Sequence, residues 1–148
     1  WTREGYTALV DILSEKYPDT AVGIIAGDED IDFYNGIAAD LKKTERNNII
    51  FFGTGNTMED FIYIVSLAQE VFTSDSLCFH IATALGKYTV VIVGPTSYTE
   101  LDVFGNGKVI YSGRVDCLCC YLNRCDKSVT CMNTLEAADI SELFGVVN

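Results

Sequence analysis

Asp75 and Ser76 stand where an apolar run, Glu70 to Thr73, gives way to a run with helical character, Ser76 to Leu85. At such a corner the first backbone N–H groups of the helix lack internal partners and the positive end of its dipole is exposed, so phosphate oxygens can dock there. His80 follows one turn later. A second apolar run, Tyr88 to Val93, ends in Gly94-Pro95-Thr96, whose Thr96 hydroxyl and free N–H groups suit an anion equally well. If the two runs are neighbouring parallel strands, corner and turn share the end of the sheet at which open α/β folds bind ligands. Each residue also has a plainer reading. Asp75 is a common helix cap, His80 between Phe79 and Ile81 a packed histidine, and Thr96 a turn cap after Pro95.

Other motifs narrow the chemistry. Gly53-Thr54-Gly55-Asn56 follows an apolar run and has the opening of a dinucleotide fingerprint, but Met58 stands where the third glycine belongs, so hydride transfer is a weak reading. There is no G-x-x-x-x-G-K motif, which argues against a P-loop nucleotidase. Cys117, Cys119, Cys120, Cys125 and Cys131 crowd one segment, and Cys78 reads as a small core residue. Thiolates from that segment could bind zinc tetrahedrally, yet the spacing C-x-C-C-x4-C-x5-C is not that of a zinc ribbon. Disulfides are opposed by the intracellular setting inferred below. Zinc, disulfides and free thiols all stay open.

These groups need a scaffold, and the chain supplies a strand-helix rhythm. Arg3 to Lys16 carries Tyr6, Leu9, Val10 and Leu13 at helical spacing. Strands are expected at Thr20–Ala26, Asn48–Phe52, Glu70–Thr73, Tyr88–Val93 and Lys108–Tyr111. Helices are expected from the acids Asp28, Glu29 and Asp30 to about Lys43, at Met58–Gln69 behind a Thr57/Asp60 capping box, at Ser76–Leu85, and from about Thr134 to Leu143. The alternation predicts an α/β fold, a Rossmann-like parallel sheet of about five strands with helices on both faces. At 148 residues and 49% hydrophobic content, one domain with one packed core is the expectation. No apolar run approaches the roughly 20 residues of a membrane span, and no signal peptide is evident, so a soluble, intracellular protein is expected. A formal charge of −11 repels polyanions and argues against nucleic acid. It leaves room for a small anion at a local helix terminus, with Lys87, Lys108, Arg114, Arg124 and Lys127 nearby in sequence.

Taken in order, Trp1, the strand into Gly27 with acids after it, Asn48 to Asp60, Thr73-Ser74-Asp75-Ser76 with His80 and Ala82, Ala84-Leu85-Gly86, Gly94-Pro95-Thr96-Ser97 and Cys117 to Met132 carry a resemblance over nearly the whole chain. The sequence resembles the C-terminal domain of family 9 glycosyltransferases, the group containing the lipopolysaccharide heptosyltransferases. The resemblance implies the C-terminal half of a GT-B fold, in which two Rossmann-like domains face each other across a cleft. The C-terminal domain binds a nucleotide diphosphate sugar, often ADP-heptose, and the N-terminal domain, absent from this chain, holds the acceptor and the base. A lysine important for the donor phosphates precedes the family's tryptophan, so the chain is expected to start just after it and to bind donor without turning it over.

Residue by residue, the resemblance gives Asp75 the sugar hydroxyls, Ser76 a phosphate and His80 the diphosphate or sugar. Leu77 replaces a family glycine and would narrow the phosphate seat. Glu29 or Asp30 would accept from the ribose, and the Gly53 to Thr57 loop, including Asn56, would edge the base. Cys117, Cys120, Cys125 and Cys131, followed by Met132, become a shared structural staple, with structural zinc as one form of it and no other cofactor required. The complete enzyme would invert the anomeric centre in making lipopolysaccharide or another surface glycan, in the cytoplasm and peripherally at the inner face of the membrane. The alternative is a non-catalytic Rossmann-like binding or interaction module whose cysteine loop serves a partner or a metal.

Overall fold

A computed structural model describes residues 1–146. Helix α1 spans Arg3–Lys16, and Thr2 caps it by accepting the Gly5 N–H at 3.0 Å. Strand β1 is Val22–Ile25. A 3-10 turn at Asp28–Asp30 leads into α2, Ile31–Leu41, and a second at Lys42–Thr44 leaves it. Then come β2 (Ile49–Gly53), α3 (Met58–Leu67), β3 (Glu70–Ser74), α4 (Leu77–Ala84), β4 (Tyr88–Val93), a 3-10 turn (Tyr98–Glu100), β5 (Gly107–Tyr111) and α5 (Ala137–Ser141). The last helix is shorter than its sequence pattern because Thr134 is tied into a turn, its hydroxyl donating to the Thr130 carbonyl at 2.9 Å.

All strand pairings are parallel, but they form two groups, β1-β2 and β3-β4-β5, where a single five-stranded layer is expected from the sequence. Strand β1 is four residues long, and its register against β2 shifts between Ile24 and Ile25, so it offers little straight edge to a second neighbour. Side chains span the seam instead. The Tyr6 ring of α1 meets Phe33 of α2 at 5.6 Å and Phe72 of β3 at 5.7 Å, both edge-on, and Trp1 meets Phe72 at 5.5 Å.

Strand β4 is buried at every position, as a central parallel strand of β-branched residues covered on both faces should be. Its Tyr88, Val90 and Ile92 pack with Leu9 of α1 and Ile140 of α5 on one face. On the other face Val71 of β3 packs with Val65 of α3 and Ala82 of α4. Asn48, just before β2, donates to the carbonyls of Ser14, Tyr17 and Thr20 at 3.1, 3.0 and 2.9 Å and also bonds the Ser14 hydroxyl, clamping the end of α1 to the first strand pair. Among the described residues no helix is long and apolar enough to cross a membrane.

Candidate functional site

The parallel register pairs Ser74 with Ile92 and Val93 with Tyr111, so the segments leaving β3, β4 and β5 emerge on one rim. Asp75, Ser76 and the Gly94 to Thr96 turn lie there together. The loops after β1 and β2 also meet each other, since the Asp28 carboxylate reaches over Gly55. From β1 the chain adds β2 on one side, and from β3 it adds β4 and β5 on the other. The seam is therefore a switch point, where the carboxyl ends of diverging strands leave a crevice.

At the corner between β3 and α4, Ser76 occupies the cap position but makes no capping bond. Its hydroxyl instead lies 3.0 Å from the Thr73 hydroxyl, and Thr73 is buried. The first turn of α4 carries no acid. The contrast with α3 is direct, because Thr57 accepts the Asp60 N–H at 3.1 Å and Glu59 and Asp60 neutralise that helix's dipole. The expected capping box is incomplete even there: the Asp60 carboxylate takes the Thr57 hydroxyl at 2.8 Å rather than reaching back to the main chain. Helix α4 thus presents a terminus with no side-chain cap and no acid in its first turn, with the exposed Asp75 one residue ahead of the cap position. Leu77 projects from the same terminus, 53% exposed. His80 is exposed one turn on, with its ring edge-on to Phe79 at 5.1 Å.

Glu29 and Asp30 are exposed in the 3-10 turn after β1. Tyr6, which composition and spacing offer only as a core residue of α1, links this turn to the β3 corner. Its phenol is pushed above its ordinary range chiefly by burial and further by Asp30 and Cys78, while the Ser74 hydroxyl pulls it back. No local motif marks it; its place at the seam follows from packing. Asn56 is committed to the backbone, its amide donating to the Phe52 and Gly53 carbonyls at 3.2 and 3.3 Å. Gly53, at φ +79°, ends β2 in a left-handed conformation and donates its N–H to the Tyr34 hydroxyl at 2.8 Å. These bonds shape the loop that Asn56 belongs to.

The cations divide. Lys87 and Lys108 lie at the amino ends of β4 and β5, away from the rim, and Lys87 donates to the Ser66 carbonyl at 2.6 Å. Arg114 follows β5 onto the rim and pairs with Glu136 at 3.8 Å. A cavity of about 310 Å³ opens there, lined by Tyr111, Ser112, Arg114, Thr134 and Glu136 among others, and a second of about 380 Å³ lies between Arg114, Asp116 and Lys127. Neither is lined by Asp75, Ser76 or His80.

All six cysteines are free thiols. Burial raises the Cys131 thiol, and Cys120, Cys117 and Cys125 add to the rise, so the four cysteines singled out in the sequence are neighbours. Lys127 hydrogen-bonds Cys117, which raises the lysine. Among the described residues no three His, Cys, Asp or Glu side chains converge as a metal would require. Met132 packs over Gly94, where a Cβ would sit 2.5 Å from its methyl carbon, and so docks this segment against the turn after β4.

Residues 1–129 match the family described as glycosyltransferase family 9 (heptosyltransferase). No curated protein sequence matches the chain. Among solved structures, E. coli ADP-heptose lps heptosyltransferase II shares the fold with a TM-score of 0.75 at 17% identity, over 96% of this chain. The present chain spans 40% of the length of that protein.

Proposed function

We propose that this chain, which belongs to glycosyltransferase family 9, is the donor half of a sugar-transfer enzyme and holds a nucleotide diphosphate sugar, ADP-heptose or a close analogue, on the rim around the seam. The observation that carries this reading is the amino end of α4, which has neither a side-chain cap nor an acid in its first turn and stands beside Asp75. The diphosphate lies against that terminus, with the Ser76 hydroxyl and Thr96 as further partners. As the sugar departs, negative charge grows on the diphosphate, and a fixed helix dipole stabilises it without reorganising. Asp75 accepts hydroxyls of the sugar, His80 approaches the diphosphate from the next turn, Glu29 or Asp30 accepts from the ribose, and the loop containing Asn56 edges the base.

In this reading a second, N-terminal domain supplies the other wall of the cleft. A carboxylate there activates the acceptor hydroxyl, and transfer inverts the anomeric centre. The acceptor is lipopolysaccharide or a similar surface glycan, met on the cytoplasmic side of the membrane. Calorimetric titration of the chain with ADP, an ADP-sugar, UDP and a UDP-sugar tests the donor assignment. Saturable ADP binding that Asp75→Ala weakens for the ADP-sugar more than for ADP supports it. Indifference to every nucleotide at millimolar concentration would sink it.

A further inference from the structure

Parallel neighbours such as β4 and β5 are ordinarily joined through a crossover helix. Here the connection has only the single 3-10 turn Tyr98–Glu100, and Tyr98 of that turn stacks on Tyr111, the last residue of β5, with centroids 4.1 Å apart and planes 20° apart. Tyr111 nevertheless stays 43% exposed. Tyr121, whose hydroxyl reaches the turn that carries Tyr98, is 57% exposed and held at φ 53°, a left-handed conformation unusual for so bulky a residue. Its N–H donates to the Pro95 carbonyl at 2.9 Å and its hydroxyl to the Glu100 carboxylate at 3.4 Å. The backbone therefore spends conformational energy to present a tyrosine to solvent, a pattern that clusters at ligand sites. The polar border is supplied by Glu100 and by Ser97 and Thr99, whose hydroxyls lie 2.9 Å apart.

We propose that Tyr98, Tyr111 and Tyr121 form a carbohydrate platform on the β4–β5 rim, seating the C–H face of a pyranose ring on exposed tyrosine surface while Glu100 accepts its hydroxyls. The electron-rich ring face suits the weakly positive C–H groups of a sugar, and a carboxylate suits neutral hydroxyl donors. Glu100 thus favours the neutral hydroxyls of a sugar over a phosphate, which distinguishes the platform in chemistry from the helix terminus proposed for the diphosphate. Assignment of the bound glycan as the acceptor rests on the sugar-transfer reading; the platform itself does not.

Saturation-transfer NMR on the chain, with methyl hexopyranosides and methyl heptopyranosides as probes, reads the platform directly. Transfer to ring C–H protons is expected, weakened about tenfold by Tyr121→Ala, whose exposed ring contributes little to the core, and retained in Tyr111→Phe, which keeps the stack. Absence of transfer to every pyranoside overturns the proposal, as does transfer indifferent to Tyr121→Ala. Transfer that added ADP displaces assigns the signal to the donor corner and also overturns it. If ADP fails to bind while pyranoside transfer persists, the donor reading fails and the platform stands.

Discussion

The hydroxyls of Thr73 and Ser76 lie 3.0 Å apart across the corner between β3 and α4, and this contact turns the residue best placed to cap α4 away from it. Thr73→Val keeps the shape of the buried side chain and removes the partner. Ser76 is then free to bond the terminal N–H groups itself, in competition with any anion. The expected outcome is ADP affinity weakened roughly fivefold, with stability changed by less than about 1 kcal/mol, because the cap gained offsets the hydrogen bond lost. Calorimetry paired with thermal melts checks this, and unchanged ADP affinity counts against the helix terminus as the phosphate seat.

Leu77 projects from that terminus, 53% exposed, and makes little of the core. Leu77→Gly is expected to cost about 1 kcal/mol of stability through helix propensity while tightening ADP several-fold, because the backbone becomes approachable. A variant that binds ADP more weakly than the wild type would show that the leucine supports the ligand rather than crowding it.

Tyr6 gives the fold an alkaline limit. Its phenol is raised chiefly by burial, with Asp30 and Cys78 adding to the effect, so the folded state favours the protonated form. That contribution is complete below the unfolded value of about 10 and is lost as pH climbs through the higher folded value. Melting temperatures followed from about pH 8 to about pH 11 should fall more steeply for the wild type than for Tyr6→Phe. Parallel curves would mean that Tyr6 does not titrate in that window. Cys78, also raised chiefly by burial, is common to both proteins and cancels in the comparison.

Asn48→Ala removes an amide that serves the Ser14, Tyr17 and Thr20 carbonyls. A loss of about 2–4 kcal/mol is expected in urea unfolding, since the part-buried Ser14 and Tyr17 carbonyls are left without their partner. A loss within about 0.5 kcal/mol would mean that water replaces the amide at no cost.

Much of the architecture was legible because it rests on local signals. Tyr6, Leu9 and Leu13 mark the buried side of α1, whose bounds Arg3–Lys16 match the sequence reading, and the β-branched run in Tyr88–Val93 marks the central strand equally well. The break between β1 and β3 was not legible, since pairing across it depends on a register irregularity at Ile24/Ile25 and on aromatic rings from distant segments. The same limit applies to the site. Asp75 and Ser76 were placed on their corner by the strand-helix order, but Ser76's turn toward Thr73 and Tyr6's place beside Asp30 are tertiary facts. Lys87 and Lys108, close to the corner in sequence, lie at the opposite end of the strands because Lys87 immediately precedes β4 and Lys108 is the second residue of β5.

With no ladder joining β1 to β3 among the described residues, side-chain packing links the two halves, as where Tyr6 of α1 touches both Phe33 of α2 and Phe72 of β3. Such ring contacts are worth about 0.5–1.5 kcal/mol each beyond their burial. The seam is accordingly held by side chains where the rest of the layer is held by main-chain hydrogen bonds. A molecule that contacted both sides of the seam would add to that packing and would stabilise the folded chain by mass action.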